Sequence, residues 1–370
     1  MTTLVLIGLA IVAVTLLYAY LKRHYSRWIT DPPGEEPYIF FGNLLTTGLL
    51  TNKSTLHEVM RDFQRRYGDK FMFWFGSHRC PVFCSPEHAR TIFSDRFTFE
   101  QSPLFLPNFD LFCPHGIFLL TGSKWKRHIR VMLPMFKRVR IMHYLSTVVE
   151  CTDRFIDRHL YNNQVHKDLR THCQSLLMNI IGFIAFSYDF DSVLDASLKD
   201  ALEYFSFQAS LVMIIPWIPR WLIECYLKLN WKYQRSHRLI QELTEKILQN
   251  ELDNPNASED HRPKNLIASF VSSLNEQADD EKISSGLTRA EILDEILASI
   301  LAGYETTSTA LSWFIFYMSK YPHVQERMKE ELREHDLLIT SDTECLPALT
   351  QDILDSLTYC ECVTKEVCEL

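Results

Sequence analysis

Residues 288–320 read TRAEILDEILASILAGYETTSTALSWFIFYMSK, and this stretch decides the fold. Thr288 is suited to cap a helix because Glu291 follows three residues later, which is the spacing of a capping box. Apolar residues then recur at helical spacing, beginning with Leu293, Ile296 and Leu297. Because they continue nearly all the way round from Ile296 onward, the sequence predicts a long, buried helix that crosses a domain.

The middle of this predicted helix departs from the pattern. Gly303 costs about 1 kcal/mol in a helix interior relative to alanine. Glu305 places a carboxylate among buried residues, where a charge is expensive without a partner or a task. Thr306 and the three residues after it carry hydroxyls, which bond to a carbonyl four residues earlier or release it. We therefore expect the helix to open a groove beside Ala302 and Gly303, where a ligand can lie.

Two other interpretations of this helix stay open on its residues alone. The first is a satisfied core acid in a helix that is kinked at Gly303. The second is a transmembrane helix, because Glu305 is the single charge between Ile296 and Met318. Used together with an apolar segment at the N-terminus, this span would make a multi-span membrane protein.

Two motifs carry a resemblance to a known family. Ala302 to Thr307 reads AGYETT, which resembles the [Ala/Gly]-Gly-x-[Asp/Glu]-Thr-[Thr/Ser] signature on the long distal helix of the cytochrome P-450 family of haem-thiolate monooxygenases. Tyr321 to Leu332 reads YPHVQERMKEEL and is similar to the Tyr-Pro-x-x-Gln-x-[Lys/Arg]-x-x-x-Glu helix that usually follows it. The resemblance implies a mainly α, cytochrome P-450-like fold with a minor β-sheet, which lacks the C-terminal proximal part.

The resemblance also implies an activity and residues that perform it. Such an enzyme inserts one oxygen atom of O2 into a small apolar substrate at haem b, with electrons from an NADPH-dependent flavoprotein reductase. Glu305 and Thr306 would relay protons to the bound dioxygen as the catalytic pair. Gly303 would make room for dioxygen, and Ala302 would face the substrate.

A second cofactor-binding segment lies at Gly122 to Phe136, which resembles the family's Trp-x-x-x-Arg helix. In that helix the indole and the guanidinium bond a haem propionate, and Trp125 supplies the indole here. Ile129 stands where the arginine is expected, so either His128 or Arg130 would replace it. His128 is favoured by direction, because it shares a helical face with Trp125, and Arg130 is favoured by its charge.

Basic residues are frequent in and after this helix: Lys124, Lys126, Arg127, Lys137, Arg138 and Arg140. They are interpreted as a solvated basic face, which could also dock an acidic redox partner.

The C-terminal segment departs from the family pattern. Residues 350–370 predict one amphipathic helix, but Glu369 stands where the family's Glu-x-x-Arg motif has arginine. The axial thiolate of the family comes from a Phe-x-x-Gly-x-Arg-x-Cys-x-Gly loop, and none of the ten cysteines sits in such a loop. We therefore predict no metal ligand in this chain. The alternative function is a truncated non-catalytic paralogue, or a gene-model fragment, that is unable to ligate haem iron.

The first 21 residues predict a membrane anchor. Residues 3–21 are almost wholly apolar and are followed by Lys22 and Arg23, which is typical of a signal anchor with its domain in the cytosol. A cleaved signal peptide is the weaker alternative, because no small-x-small site closes the segment. The expected localisation is the endoplasmic reticulum membrane, with a single span, contact with membrane lipid and a domain that faces the cytosol.

The rest of the chain is assigned by composition and local pattern. Residues 22–45 are a basic, proline-rich linker, and 46–370 are the incomplete cytochrome P-450-like domain. Within it we expect a helix at 56–67, strands at 70–75 and 81–84, and an aromatic loop at 99–120 that lines a pocket or simply packs. With 46% apolar residues the chain can bury one large core. Its net charge of −8 argues against a nucleic-acid partner, and its cysteines form no CxxC pair and are read as reduced thiols.

Overall fold

Helices make up most of the computed structural model, which describes residues 2–26, 31–51, 53–95, 98–99, 108–160, 168–190, 196–214, 218–254, 265–276, 286–338 and 347–369. In chain order the helices within these residues are α1 (Thr2–His24), α2 (Leu56–Tyr67), α3 (Pro86–Ser94), α4 (Gly122–Met132), α5 (Arg138–Met142), α6 (Leu145–Phe155), α7 (Leu169–Phe186), α8 (Ala196–Ile214), α9 (Arg220–Leu229), α10 (Trp231–Asp253), α11 (Leu266–Glu276), α12 (Arg289–Lys320), α13 (Pro322–Glu334), α14 (Gln351–Ser356) and α15 (Thr358–Glu369). The described strands are β1 (Lys70–Phe75) and β2 (His78–Phe83), which pair antiparallel. The predicted mainly helical fold with a minor sheet is confirmed.

The chain divides into two compact units. The first unit contains Met1–Leu111 and Gln208–Leu229, and the second unit contains Phe112–Phe207 and Asn230–Leu370. Because the predicted active-site residues Trp125 to Arg130 and Ala302 to Thr306 all lie in the second unit, the candidate site is contained in that unit.

In the first unit strand β1 of the hairpin is buried on both faces. Phe71 and Phe73 pack with Phe63 of α2, whereas Met72 and Trp74 pack on the opposite side. This alternation follows from the period of two in a strand. The second strand begins at His78, three residues before the predicted start, because Phe75 and His78 pair across a two-residue turn.

The predicted linker at the start of the first unit does not run free of the sheet. The Met72 amide donates to the carbonyl of Pro33 at 2.8 Å, and Gly34 forms a parallel bridge with Met72. A Cβ on Gly34 would lie 2.4 Å from the Met72 carbonyl oxygen, so a side chain there would clash with this pairing. Asp31 adds an ion pair with Arg79. Residues 31–34 of the predicted linker are therefore packed against the sheet.

Residues 3–21, the predicted anchor, lie in α1, which extends to His24. Across the described part of the chain, no helix has both the length and the apolar character needed to cross a membrane. The predicted transmembrane helix, and with it the multi-span interpretation that uses 296–318, is not supported.

In the second unit α12 is the central helix, as predicted. It packs along α7 and also contacts α10, α11 and α15. Its N-terminal half is buried, but Trp313 is 50% exposed and Phe316 is 46% exposed. The expectation of burial all the way round is therefore wrong for the C-terminal half. A continuous apolar pattern indicates a buried helix, but it does not show which other elements pack against each face.

The predicted last helix is divided into α14 and α15 at Leu357. The carboxylate of Glu331, in α13, accepts hydrogen bonds from the backbone amides of Tyr359 at 2.7 Å and Cys360 at 2.8 Å. A carboxylate at this position satisfies free amides at the start of a helix, so Glu331 of α13 caps the N-terminus of α15. The periodicity of the segment carries no sign of this long-range cap.

Candidate active site

Helix α12 begins with the predicted capping box. Thr288 Oγ accepts from the Glu291 amide at 3.3 Å, and the Glu291 carboxylate accepts from the Thr288 amide at 2.8 Å. These two bonds satisfy amides that would otherwise lack partners at the helix start. The helix then runs without interruption through Gly303 to Lys320.

The predicted groove in α12 does not form by release of carbonyls. Thr306 Oγ1 donates to the Ala302 carbonyl at 2.6 Å, and Thr309 Oγ1 donates to the Glu305 carbonyl at 2.8 Å. The hydroxyls therefore bond back to the carbonyls four residues earlier, which leaves the backbone helical. The prediction that released carbonyls open the helix at Ala302 and Gly303 is therefore wrong.

Gly303 instead allows a close helix contact. A Cβ placed on it would lie 1.9 Å from Ile181 Cδ1 of α7 and 3.2 Å from Ile181 Cγ1. Glycine at this position therefore accommodates the isoleucine, and α7 can approach α12 closely. A packing role of this kind was not predicted from the sequence.

Ala302 and Gly303 also form part of the wall of a cavity of about 530 Å³ within the second unit. The walls come from α12, α4, α7, α11 and the 3₁₀ turns on either side of α4. The lining residues are Ile117, Phe118, Ile129, Met132, Leu133, Phe136, Ile181, Ile184, Ala185, Leu266, Glu295, Ala298, Ser299, Ala302 and Gly303. Among these described residues Glu295 is the one titratable group, so the cavity is an apolar space with a single acid in its wall. Of the aromatic segment 99–120, for which both a pocket wall and simple packing were expected, Ile117 and Phe118 line this cavity.

Behind this wall lies a buried polar pair that joins α4 to α12. His128 Nδ1 lies 2.6 Å from Glu295 Oε1, and both side chains are fully buried. Burial raises the pKa of the Glu295 carboxyl, and the hydrogen bond from His128 opposes that rise without cancelling it. His128 therefore points into the protein.

A second acid, Glu291, extends the network toward the surface. Arg127 forms an ion pair with Glu291, and Arg127 Nη1 donates to the Gly286 carbonyl at 3.1 Å. Burial on its own would raise the pKa of Glu291, but the amide of Thr288 and the charge of Arg127 outweigh it and lower that pKa. Arg127 is thus a paired residue, and the prediction of it as part of a solvated face is wrong.

Sequence reasoning missed Glu291 and Glu295 as site residues. They stand four residues apart on α12, so they share a face, and Arg127 and His128 are consecutive cationic or titratable residues on α4. This complementary pattern was present in the sequence. It does not by itself say which face of α4 meets α12.

The two other predicted residues of α4 differ from His128 in exposure. Trp125 is 38% exposed, and Arg130 is exposed. Between them Ile129 lines the cavity, at the position where the family pattern expects arginine. The structure therefore brings Ile129 to the Ala302 and Gly303 wall, and it places Trp125 and Arg130 outside the lining.

The predicted catalytic pair is not joined by a hydrogen bond. The Glu305 carboxylate lies 3.2 Å from Arg170 Nη2 of α7, and both side chains are partly exposed. The Thr306 hydroxyl is bonded to the Ala302 carbonyl instead. Their role in proton transfer stays a prediction.

The described residues contain no group of three or more His, Cys, Asp or Glu residues that could hold a metal ion. Their free cysteines are Cys80, Cys84, Cys113, Cys151, Cys173, Cys225, Cys360, Cys362 and Cys368. None of these nine is part of the cavity lining.

Comparison with known proteins adds an independent finding. Residues 32–368 match the family model described as "Cytochrome P450". The chain is 26% identical over 344 residues to "Putative cytochrome P450 CYP13A3" of Caenorhabditis elegans, with 84% of this chain and 63% of that protein covered. It is 23% identical over 329 residues to "Cytochrome P450 4X1" of Homo sapiens, with 85% of this chain and 61% of that protein covered. The chain thus spans about three fifths of the length of these two relatives.

Proposed function

The chain belongs to the cytochrome P450 family, and from this premise we propose that it acts as a haem-dependent monooxygenase that inserts one oxygen atom of O2 into an apolar organic substrate. The observation that carries the proposal is the apolar cavity of about 530 Å³ walled by Ala302 and Gly303, the residues of the family signature. A cavity of this size and character is suited to an apolar molecule.

The cavity wall fits one face of a haem, and two polar side chains of α4 outside the lining are candidates for its carboxylate edge. A haem is a flat, apolar macrocycle with two carboxylates on one edge. Ala302, Gly303 and Ile129 offer a wall of small or aliphatic groups to its face. Trp125 and Arg130 supply an exposed indole N–H and a guanidinium on the same helix for its carboxylates. We favour Arg130 over His128 for this role, because His128 is buried against Glu295.

When bound, haem supplies the redox chemistry that activates dioxygen. The chain's own residues exclude water, orient the substrate and move protons. The aliphatic wall excludes water from the reacting carbon, and Ala302 leaves room for the substrate beside α12. The Thr306 hydroxyl can turn from the Ala302 carbonyl toward a ligand, and Glu305, which Arg170 holds nearby, can return its proton.

Electrons would come from an NADPH-dependent flavoprotein reductase. Lys124, Lys126 and Lys137 are exposed and form the part of the basic face that remains available for an acidic partner. Arg127 and Arg138 are paired with Glu291 and Asp355. The predicted position of the protein at the endoplasmic reticulum, facing the cytosol, stays a prediction.

The second candidate function is a non-catalytic member of the family. Two observations favour it: no described cysteine lines the cavity, and Glu366 and Glu369 are both exposed on α15, so the family's ion pair is absent there. This candidate predicts a folded protein that does not bind haem through a thiolate.

Haem titration of the purified chain, followed by reduction under carbon monoxide, separates the two candidates. A red-shifted Soret band, with one atom of labelled oxygen from ¹⁸O2 in the product, supports the monooxygenase. A folded helical chain that lacks this band supports the non-catalytic candidate and contradicts the monooxygenase.

A further inference from the structure

Two side-chain oxygens of α12 in the cavity wall lack hydrogen-bond partners. Glu295 Oε2 and Ser299 Oγ are both buried, and neither has a hydrogen bond of normal geometry among the described residues, although the backbone amide of Ile117 lies close enough to the Glu295 carboxylate to lower its pKa. Both residues line the apolar cavity. A buried polar atom without a partner is destabilising, so each of these oxygens favours a ligand that can complete its hydrogen bonds.

The two oxygens lie on the same side of the helix as the family signature. Glu295 and Ser299 are four residues apart, and Gly303 follows four residues later, so all three share one face of α12. At about 1.5 Å per residue, Glu295 and Ala302 are roughly 10 Å apart along the helix axis. The cavity wall therefore has a polar end at Glu295 and Ser299 and a wholly apolar end at Ala302 and Gly303.

The chemistry of the polar end defines what it can bind. His128 holds Glu295 Oε1 at 2.6 Å, which fixes the orientation of the carboxyl group. A carboxylate accepts up to about four hydrogen bonds, so Oε2 stays available as an acceptor. The serine hydroxyl accepts or donates a second bond to the same ligand group.

We propose that this cavity binds elongated apolar molecules that carry one hydrogen-bond donor, such as a hydroxyl or an amide N–H, and that Glu295 and Ser299 receive this donor. The inference rests on the proposed function and deepens it, because it names the kind of molecule that the cavity takes. Glu295 and Ser299 would then determine which end of the bound molecule lies at the polar end of the cavity.

Binding to the full chain tests the donor without any turnover. We would use three probes of nearly the same shape, 2-naphthol, 2-methoxynaphthalene and naphthalene, and follow their fluorescence in equilibrium titrations. The first probe has a donor, the second has only an acceptor, and the third has neither. We expect 2-naphthol to bind about tenfold more tightly than the other two, since one additional hydrogen bond to a buried, oriented acceptor supplies a difference of that size.

Substitutions on α12 test whether Glu295 and Ser299 cause the preference for 2-naphthol. Ser299→Ala is expected to reduce the preference for 2-naphthol about threefold, and Glu295→Gln to reduce it about fivefold, because a neutral amide is a weaker acceptor. Ser312→Ala is the matched control, because Ser312 is a half-buried serine of the same helix outside the cavity lining. It should keep the full preference.

Each result bears on the inference. Equal affinities for 2-naphthol and 2-methoxynaphthalene would overturn it, and so would a preference that survives both substitutions. If Glu295→Gln does not fold, the Ser299→Ala comparison decides the question. Because the titration needs neither haem nor NADPH, a chain that prefers the donor but oxidises nothing would contradict the monooxygenase alone. A chain that oxidises substrates with no donor preference would contradict this inference alone.

Discussion

His128 Nδ1 of α4 and Glu295 Oε1 of α12 lie 2.6 Å apart, and neither side chain is exposed to solvent. This contact joins two segments that are 167 residues apart in the chain. It fixes α4, which carries Trp125, Ile129 and Arg130, against the helix that carries the family signature.

Removing one partner of this pair should destabilise the protein strongly. We expect Glu295→Leu or His128→Leu to lower the free energy of unfolding by about 3–5 kcal/mol, because each leaves a buried polar group unpaired. The double variant should lose much less than the sum of the two single losses. Urea unfolding measures all three variants. Asp62→Asn, at an exposed ion pair with Arg66, is the control and should cost less than about 1 kcal/mol.

The contributions of Glu291 and Glu295 to the free energy of unfolding should change in opposite directions as the pH rises. The pKa of Glu291 is lowered in the folded protein. Its contribution, measured as wild type minus Glu291→Gln, is therefore present above the ordinary value of 4.5 and is lost as the pH falls through the folded pKa. The pKa of Glu295 is raised, so the difference between wild type and Glu295→Gln is lost as the pH rises above 4.5 through the folded pKa.

Unfolding in urea at a series of pH values measures both differences. Parallel slopes for the two variants would contradict the assignment of opposite pKa shifts. Glu326→Gln, at a fully exposed acid of α13, serves as a variant away from the buried network.

Gly303→Ala should crowd Ile181. The added Cβ meets Cδ1 of that side chain at 1.9 Å, and overpacking of this kind costs about 1–3 kcal/mol, against a gain of about 1 kcal/mol in helix propensity. We expect a small net loss in thermal stability, which Ile181→Val restores because it removes Cδ1. Gly182→Ala is the contrasting variant. Its Cβ would meet the Tyr188 carbonyl oxygen at 2.4 Å, so a change of side chain at 181 should not rescue it.

Thr306→Ala should uncouple electron use from product formation in the haem-loaded enzyme. The variant should bind haem normally, yet form more peroxide for each NADPH consumed, since the hydroxyl that delivers the proton is gone. Parallel assays of NADPH, peroxide and product measure the ratio. Thr306→Ser keeps the hydroxyl and should retain coupling. Unchanged coupling in the alanine variant would remove Thr306 from the proton path.

Glu331→Ala should loosen the last helix. The carboxylate of Glu331 accepts from the amides of Tyr359 and Cys360, and the loss of a helix cap costs about 0.5–2 kcal/mol. Amide hydrogen exchange should increase in α15 and stay unchanged in α10. Equal protection of α15 in variant and wild type would show that its N-terminus is held by other contacts.

The sequence predicted those parts of the molecule that depend on local pattern. The capping box at Thr288 and Glu291 located the start of α12, and the short aromatic run in Lys70–Phe75 located β1. The family motifs located the Ala302 and Gly303 wall before any cavity was known.

Features that depend on distant partners could not be predicted in the same way. Helical periodicity assigns Glu295 to a face of α12, but it does not say that His128 packs against that face. The same holds for Arg170, which pairs with Glu305, and for Glu331, which divides the C-terminal segment into two helices. In each case the deciding contact joins residues that are far apart in the chain.

The pairing of Pro33 and Gly34 with β1 has a consequence for self-association. The strand KFMFWF is rich in aromatic residues, and such a strand with a free edge is a template for intermolecular β-sheet. Here the amide of Met72 is bonded to Pro33, and the amide of Trp74 donates to the buried side chain of Asn43 at 2.8 Å. The edge of β1 opposite β2 is thus already hydrogen-bonded within the chain, which protects the strand from templated aggregation as long as residues 33–43 stay in place.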